Sequence, residues 1–248
     1  MKLTPIQSNT LTEAVYKQLA AQITSGEIAP GEKVTLQDLA SKLSVSMMPV
    51  REAIKRLEAE KLVTVVTNRR IFVNKLSWAD VEEIYKIRMN LEILAIEAAF
   101  PKLSEDTVDR LESLNSQLVN AREPEKLVEL NRTFHFTIYQ QAELPILLEI
   151  IRSLWERTSP YFYRFFRSVR EGEPGWSNTE FLKIHANLIA AIRTKDQRKA
   201  ADLIKTDLME GMRYLTGLLE QESAEPEEDI KMKGQFGALR AKEKGNGK

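Results

Sequence analysis

The chain has no cysteine and only two histidines among 248 residues. Without thiols there is no disulfide framework, no thiolate metal site and no cysteine nucleophile, which fits a reducing, cytoplasmic setting. Long apolar runs are missing too. Residues 1–10 lack the apolar core of an export signal, and the most apolar stretch, Leu91 to Phe100, is broken by Glu92 and Glu97, so neither export nor membrane spanning is expected. Net charge is also absent, with 36 basic and 36 acidic residues, but the two signs are not mixed evenly. Residues 1–75 hold 11 basic against 7 acidic side chains, whereas residues 76–222 hold 19 against 24. A basic front and an acidic body suit a polyanionic partner for the front only.

What is present divides the chain into three parts: 1–75, 76–222 and a tail, 223–248. Leu11, Val15, Leu19 and Ile23 recur at helical spacing until Gly26 and Pro30-Gly31 turn the chain. Thr35, with Asp38 three residues on, opens a second short helix that carries Leu36, Leu39, Ala40 and Leu43. Ser46 then stands where it can cap a third helix, Pro49 is tolerated in the first turn, and Val50, Ile54 and Leu57 form the buried stripe. Met48, Arg51 and Lys55 occupy the opposite face. Leu62–Val66 and Ile71–Val73 are β-branched runs around Thr67-Asn68-Arg69-Arg70, a hairpin with a basic tip.

From Trp78 to Leu219 the pattern becomes about six long helices, broken near Pro101, Glu123-Pro124, Leu144-Pro145, Gly172–Gly175 and Lys195-Asp196. Periodicity is lost after Glu222, and the remainder reads as a mobile tail. The expected fold is mainly α: an N-terminal winged helix-turn-helix of three helices plus a small β-hairpin wing, followed by an all-α helical bundle that binds a ligand.

A short helix, a tight turn and a second helix with a basic outer face is the arrangement that lays a recognition helix in the DNA major groove. Ser46 and the start of helix three can meet phosphate, Met48 and Arg51 face base edges, and Arg69 and Arg70 suit phosphates or a narrow minor groove. The bland alternative is that Arg51 and Lys55 solvate an exposed face beside Glu52 and Glu58. In the helical part, polar residues interrupt apolar stripes on four helices: Arg88, Asn131 with His135, His185, and Asp207. A buried polar group must find a partner or a ligand, so these five point to a shared polar pocket. Here too there is a plainer reading, in which Arg88 pairs with Glu92 one turn on, or with Asp207, and the histidines are hydrogen-bonded core residues. The aromatic run Tyr161 to Phe166 fits core and dimer interface better than a pocket wall.

The run Val45-Ser46-Met47-Met48-Pro49-Val50-Arg51-Glu52-Ala53-Ile54-Lys55-Arg56-Leu57-Glu58, preceded by Gly26-Glu27-Ile28-Ala29-Pro30-Gly31-Glu32, closely resembles the GntR family of bacterial regulators. That resemblance implies a cytoplasmic homodimer on a palindromic operator, with no membrane partner. The DNA-facing set is then Thr35, Gln37, Ser46, Met47, Met48, Pro49, Arg51, Lys55, Asn68, Arg69 and Arg70. Met47 stands where many members have arginine, and Arg70 where the wing usually has glycine. Residues 77–219 resemble the ligand domain of the FadR-like branch, the FCD type, with Ile87-Arg88-Met89-Asn90-Leu91-Glu92 matching its opening motif.

Members of that branch hold a divalent metal through an aspartate and three histidines, and a small carboxylate through the metal and a nearby arginine. By resemblance the metal ligands fall at Asn131, His135, His185 and Asp207, with Arg88 beside the effector and zinc, nickel or manganese as candidate ions. Asn131 replaces the aspartate, and Asp207 the third histidine. The expected function is a ligand-responsive repressor and not an enzyme. Two other classes compete with it: a constitutive DNA-binding dimer, and a metal-dependent enzyme, against which stands the lack of a Glu-x-x-His pair or a recognisable nucleophile.

Overall fold

The computed structural model describes residues 11–66, 70–172 and 179–224. The front consists of α1 (Leu11–Thr24), β1 (Lys33–Val34), α2 (Leu36–Lys42), α3 (Met47–Ala59), β2 (Val63–Val66) and β3 (Arg70–Val73). Its core is the stripe expected from periodicity, Val15, Leu19 and Ile23 of α1 against Val50, Ile54 and Leu57 of α3, closed by Leu62, Val63, Ile71 and Val73. The strands form an antiparallel sheet in the order β1-β3-β2. β1 was not expected: two residues are too short to show alternation, and only their pairing with Ile71 and Phe72 defines them.

Helix starts follow local chemistry. Thr35 caps α2 as expected, its hydroxyl accepting from the Asp38 N–H at 3.1 Å and donating to Asp38 Oδ2 at 2.7 Å. Ser46 holds the equivalent position on α3 but makes no capping hydrogen bond. The third residue of that helix is Pro49, which lacks the N–H that a capping oxygen would take. Arg70, expected at the tip of the wing, is instead the first residue of β3, paired with Val66. Asn68 and Arg69 lie outside the described residues.

The body is six α-helices: α4 (Trp78–Ala99), α5 (Glu105–Asn120), α6 (Pro124–Tyr139), α7 (Pro145–Glu171), α8 (Thr179–Arg193) and α9 (Gln197–Ala224). They break at the expected prolines and turns, because proline fits a first helical turn, as in α6 and α7, and fits poorly further in. α4 opens with a reciprocal capping box between Ser77 and Asp80. α9 runs on to Ala224, and residues 225–248 lie outside the described residues. No described helix is long and apolar enough to cross a membrane.

α7 joins the two cores. It continues through Pro160, where the Thr158 and Ser159 hydroxyls donate to the Trp155 carbonyl at 3.1 and 3.0 Å, beside the backbone bond that the proline cannot make. Just beyond, the Tyr161 hydroxyl accepts from the Leu76 N–H at 2.7 Å, in the segment between β3 and α4. Tyr163 lies flat against the turn after α1: a Cβ added to Gly26 would stand 2.7 Å from the Tyr163 ring. Gly26 also has φ +76°, so both the backbone and the close approach require glycine. Of the aromatic run, Tyr161, Phe165 and Phe166 are buried in the protomer's own core, as expected, while Phe162 and Tyr163 are half-buried.

Candidate functional site

On the front, α3 presents one face to solvent. Met48 is 65% and Met47 47% exposed, and Arg51 and Lys55 are exposed with them. Pro49 and Val50 are buried, so of this helix's first turn only Met47 and Met48 are accessible. Lys55 is drawn to Glu52 at 2.8 Å, whereas Arg51 has no side-chain partner among the described residues. Gln37 is exposed on α2, while the Thr35 hydroxyl is committed to Asp38. The neighbouring Arg56 is occupied elsewhere, stacked on Tyr16 at 3.5 Å and paired with Glu13 and Glu60. The face thus offers one unpaired guanidinium and two thioethers, a combination suited to a polyanion with apolar groups along its groove.

Inside the body, the structure brings His135, His185 and Asp207 together. His135 Nε2 lies 3.2 Å from His185 Nε2 and 3.3 Å from Asp207 Oδ2, and His185 Nε2 lies 3.8 Å from Asp207 Oδ1. Nitrogen and oxygen ligands about 2.0–2.2 Å from a tetrahedral metal stand roughly 3.3–3.6 Å from each other; the two contacts of His135 are close to that spacing, whereas His185 stands slightly farther from Asp207 and faces its other oxygen. Both rings are fully enclosed, and His185 is stacked on Phe134 with centroids 4.0 Å apart. Desolvation pulls the His185 pKa down to about 3 and, together with the facing His185 and Arg88, holds His135 well below its usual range. Both imidazoles are therefore neutral, the state in which they ligate metal. Desolvation and the nearby Glu92 push Asp207 up to about 7, so an incoming cation would displace its proton near neutrality. Asn131, one turn before His135 on α6, is buried, and its Oδ1 has no hydrogen-bond partner.

Arg88 is also buried, but it is not free. Its Nε donates to Glu92 Oε1 at 2.7 Å, its Nη1 reaches Thr158 Oγ1 at 3.4 Å, and its guanidinium stacks 4.4 Å from the Trp155 ring centre. The plainer of the two sequence readings holds for this pair. Glu92 is the residue sequence reasoning undervalued: it is fully buried and also accepts from Trp155 Nε1 at 2.9 Å and from the Tyr139 hydroxyl at 2.7 Å. Its place in the apolar stripe Ile84, Tyr85, Ala95, Ile96 was the signal that could have exposed it. Tyr139 in turn stands 3.4 Å from His135 Nδ1, tying the carboxylate to the triad.

A cavity opens beside these groups, lined by Arg88, Asn131 and Asp207 at its polar end. It is tight as it stands, with room for roughly one water molecule. Removing one member of a buried pair leaves the other charge stranded, so Glu92→Ala is expected to lower stability by about 3–5 kcal/mol in urea denaturation. The double change Arg88→Met with Glu92→Leu should cost less than that single change, and a loss below about 1 kcal/mol for Glu92→Ala would show that the pair does not organise the core.

Comparison with known proteins follows the same division. Residues 11–73 match the model for bacterial regulatory proteins of the gntR family, and residues 83–209 that for the FCD domain. The HTH-type transcriptional regulator McbR of Escherichia coli (strain K12) is 30% identical over 191 residues, covering 76% of this chain and 85% of that protein. The HTH-type transcriptional repressor GlaR of the same organism is 26% identical over 205 residues, covering 78% of this chain and 90% of that protein. The solved structure of E. coli McbR/YncC superposes with a TM-score of 0.73 at 28% identity, over 87% of this chain and all of that one. This chain belongs to the GntR family of bacterial regulatory proteins, as a DNA-binding transcription regulator with an FCD effector-binding domain, and is not an enzyme.

Proposed function

We propose that the protein is a cytoplasmic, homodimeric repressor whose grip on a palindromic operator is set by a small carboxylate held at a metal in the helical body. In this reading residues 1–75 are the DNA-binding head, 76–222 the effector and dimerisation domain and 223–248 a tail. Met47, Met48 and Arg51 of α3 read bases, with Thr35, Gln37, Ser46, Pro49 and Lys55 around them and the wing residues Asn68, Arg69 and Arg70 on the backbone or minor groove. Ile87 and Leu94, exposed two turns apart on α4, support a partner on that face.

The observation that carries the effector reading is the convergence of three ligand atoms beside a cavity whose own charges cancel. His135, His185 and Asp207 would hold zinc, nickel or manganese, with the Asn131 amide oxygen available as a further neutral donor. Such an ion supplies a local positive charge. Arg88 is already neutralised by Glu92, and Glu210, which also lines the cavity, is paired with Arg213, so the protein alone offers an anion no net attraction. A divalent cation opposite an ionised Asp207 leaves one positive charge, which suits a monocarboxylate. α7 is the route outward: Trp155 and Phe165 line the cavity, while Tyr161 and Tyr163 touch the head-side segments at Leu76 and Gly26. An effector that reshapes α7 then shifts the population of head positions.

Two substitutions separate the halves of this reading. Arg51→Ala should cost about 1–3 kcal/mol in operator binding by fluorescence anisotropy and narrow the gap between operator and random DNA. Full affinity with full selectivity would remove Arg51 as a reader. His185→Ala should reduce the zinc, nickel or manganese retained after dialysis by at least about tenfold, measured by elemental analysis. Wild-type protein that retains none of the three would refute the metal.

A further inference from the structure

The cavity has walls that indicate what kind of acid it takes. Six aromatic side chains line it: Tyr85, Trp155, Phe162, Phe165, Phe181 and Tyr214. Phe165 and Tyr214 are stacked with centroids 4.4 Å apart, so flat faces already meet at this wall. A planar ring is what such a lining accommodates best.

Gly211 sits in the same wall, four residues beyond Asp207 on α9. Glycine inside a helix costs about 1 kcal/mol relative to alanine, so it needs a reason. A Cβ at this position would stand 2.9 Å from Tyr85 Oη and 3.1 Å from the Phe162 ring. The glycine therefore lets the Tyr85 hydroxyl and Phe162 approach the helix. Tyr85 is completely buried and its hydroxyl has no hydrogen-bond partner. The Arg88 guanidinium, 4.8 Å from the Tyr85 ring centre, is close enough for its charge and a long N–H contact to act on that hydroxyl, but does not meet it in regular hydrogen-bonding geometry. Burial raises the phenol's pKa, which keeps it neutral and able to donate or accept. A buried hydroxyl without a regular hydrogen bond is destabilising, a penalty that a ligand's polar group would relieve.

We propose that the effector is an aromatic carboxylate with a second polar group, such as a ring hydroxyl, which is read by the Tyr85 hydroxyl that Gly211 allows to sit against α9. The proposal rests on the reading that the carboxylate is held at the triad end of the cavity. Entry requires the cavity to widen, and Phe162 is the half-buried part of its aromatic wall nearest Gly211. Phe162 lies between Tyr161 and Tyr163 on α7, so its displacement acts on the two side chains that touch the head-side segments.

The test is calorimetric titration of the zinc-loaded full chain with benzoate, its three hydroxy derivatives and hexanoate. At least one of the hydroxy acids is expected to bind at least about tenfold more tightly than benzoate, because a site built to hydrogen-bond a hydroxyl discriminates against its absence. In Tyr85→Phe the ratio of the two dissociation constants should fall toward one, and Gly211→Ala should weaken both aromatic acids at least about tenfold. Equal binding of benzoate and its three hydroxy derivatives, a preference that survives Tyr85→Phe, or tighter binding of hexanoate than of benzoate would each overturn the proposal while leaving a carboxylate effector intact. No binding by any of these acids, with zinc or without, would overturn the aromatic assignment and the carboxylate reading together.

Discussion

The helical body is organised around one buried carboxylate. Glu92 takes three donors at once, from Arg88, Trp155 and Tyr139, and these come from α4, α7 and α6 respectively. Ionised groups this deep are tolerated only when paired and fully hydrogen-bonded, so each donor fixes the position of the helix that carries it. The consequences spread from there. Tyr139 is held beside His135, Trp155 forms a wall of the cavity, and Arg88 is cancelled as a source of attraction for anions. A cavity that looks cationic from a lone buried arginine is electrically balanced until a metal enters it.

The same arrangement connects the buried cavity to the front of the chain. α7 is a single 27-residue element that contributes to the cavity through Trp155 and Phe165 and reaches the head-side segments through Tyr161 and Tyr163. Pro160 falls between Trp155 and Tyr161, where the backbone ladder lacks a bond and hydroxyls occupy the adjacent carbonyl. Helices bend most readily at such points. The fold thus puts a weak point of the helix between the sensing side and the DNA side.

Much of this was legible in the sequence. The six body helices follow from apolar periodicity interrupted at Pro101, Pro124, Pro145, Gly172 and Lys195-Asp196, because backbone sterics act locally. The convergence of His135, His185 and Asp207 was foreshadowed by polar residues on apolar stripes, since stripes of a bundle must face one another. Glu92, Tyr85 and Tyr139 were harder to weigh. A carboxylate four residues from an arginine reads equally as a surface pair, and a tyrosine on an apolar face reads as packing; only their burial distinguishes them. Ser46 illustrates the limit of motif reasoning, because the capping pattern was present but Pro49 had removed the donor it serves.

The central claim is that a charge-balanced cavity becomes an anion receptor only through a metal, and that this changes the grip of the DNA head. Operator affinity of the full chain, followed by fluorescence anisotropy in a matrix of chelator, zinc and 4-hydroxybenzoate, tests it most directly. The account predicts that the acid alters operator affinity at least about fivefold when zinc is present and has no effect in chelator, a coupling of about 1 kcal/mol or more. An operator affinity that is the same under all conditions, or a response to the acid that persists without metal, would contradict it.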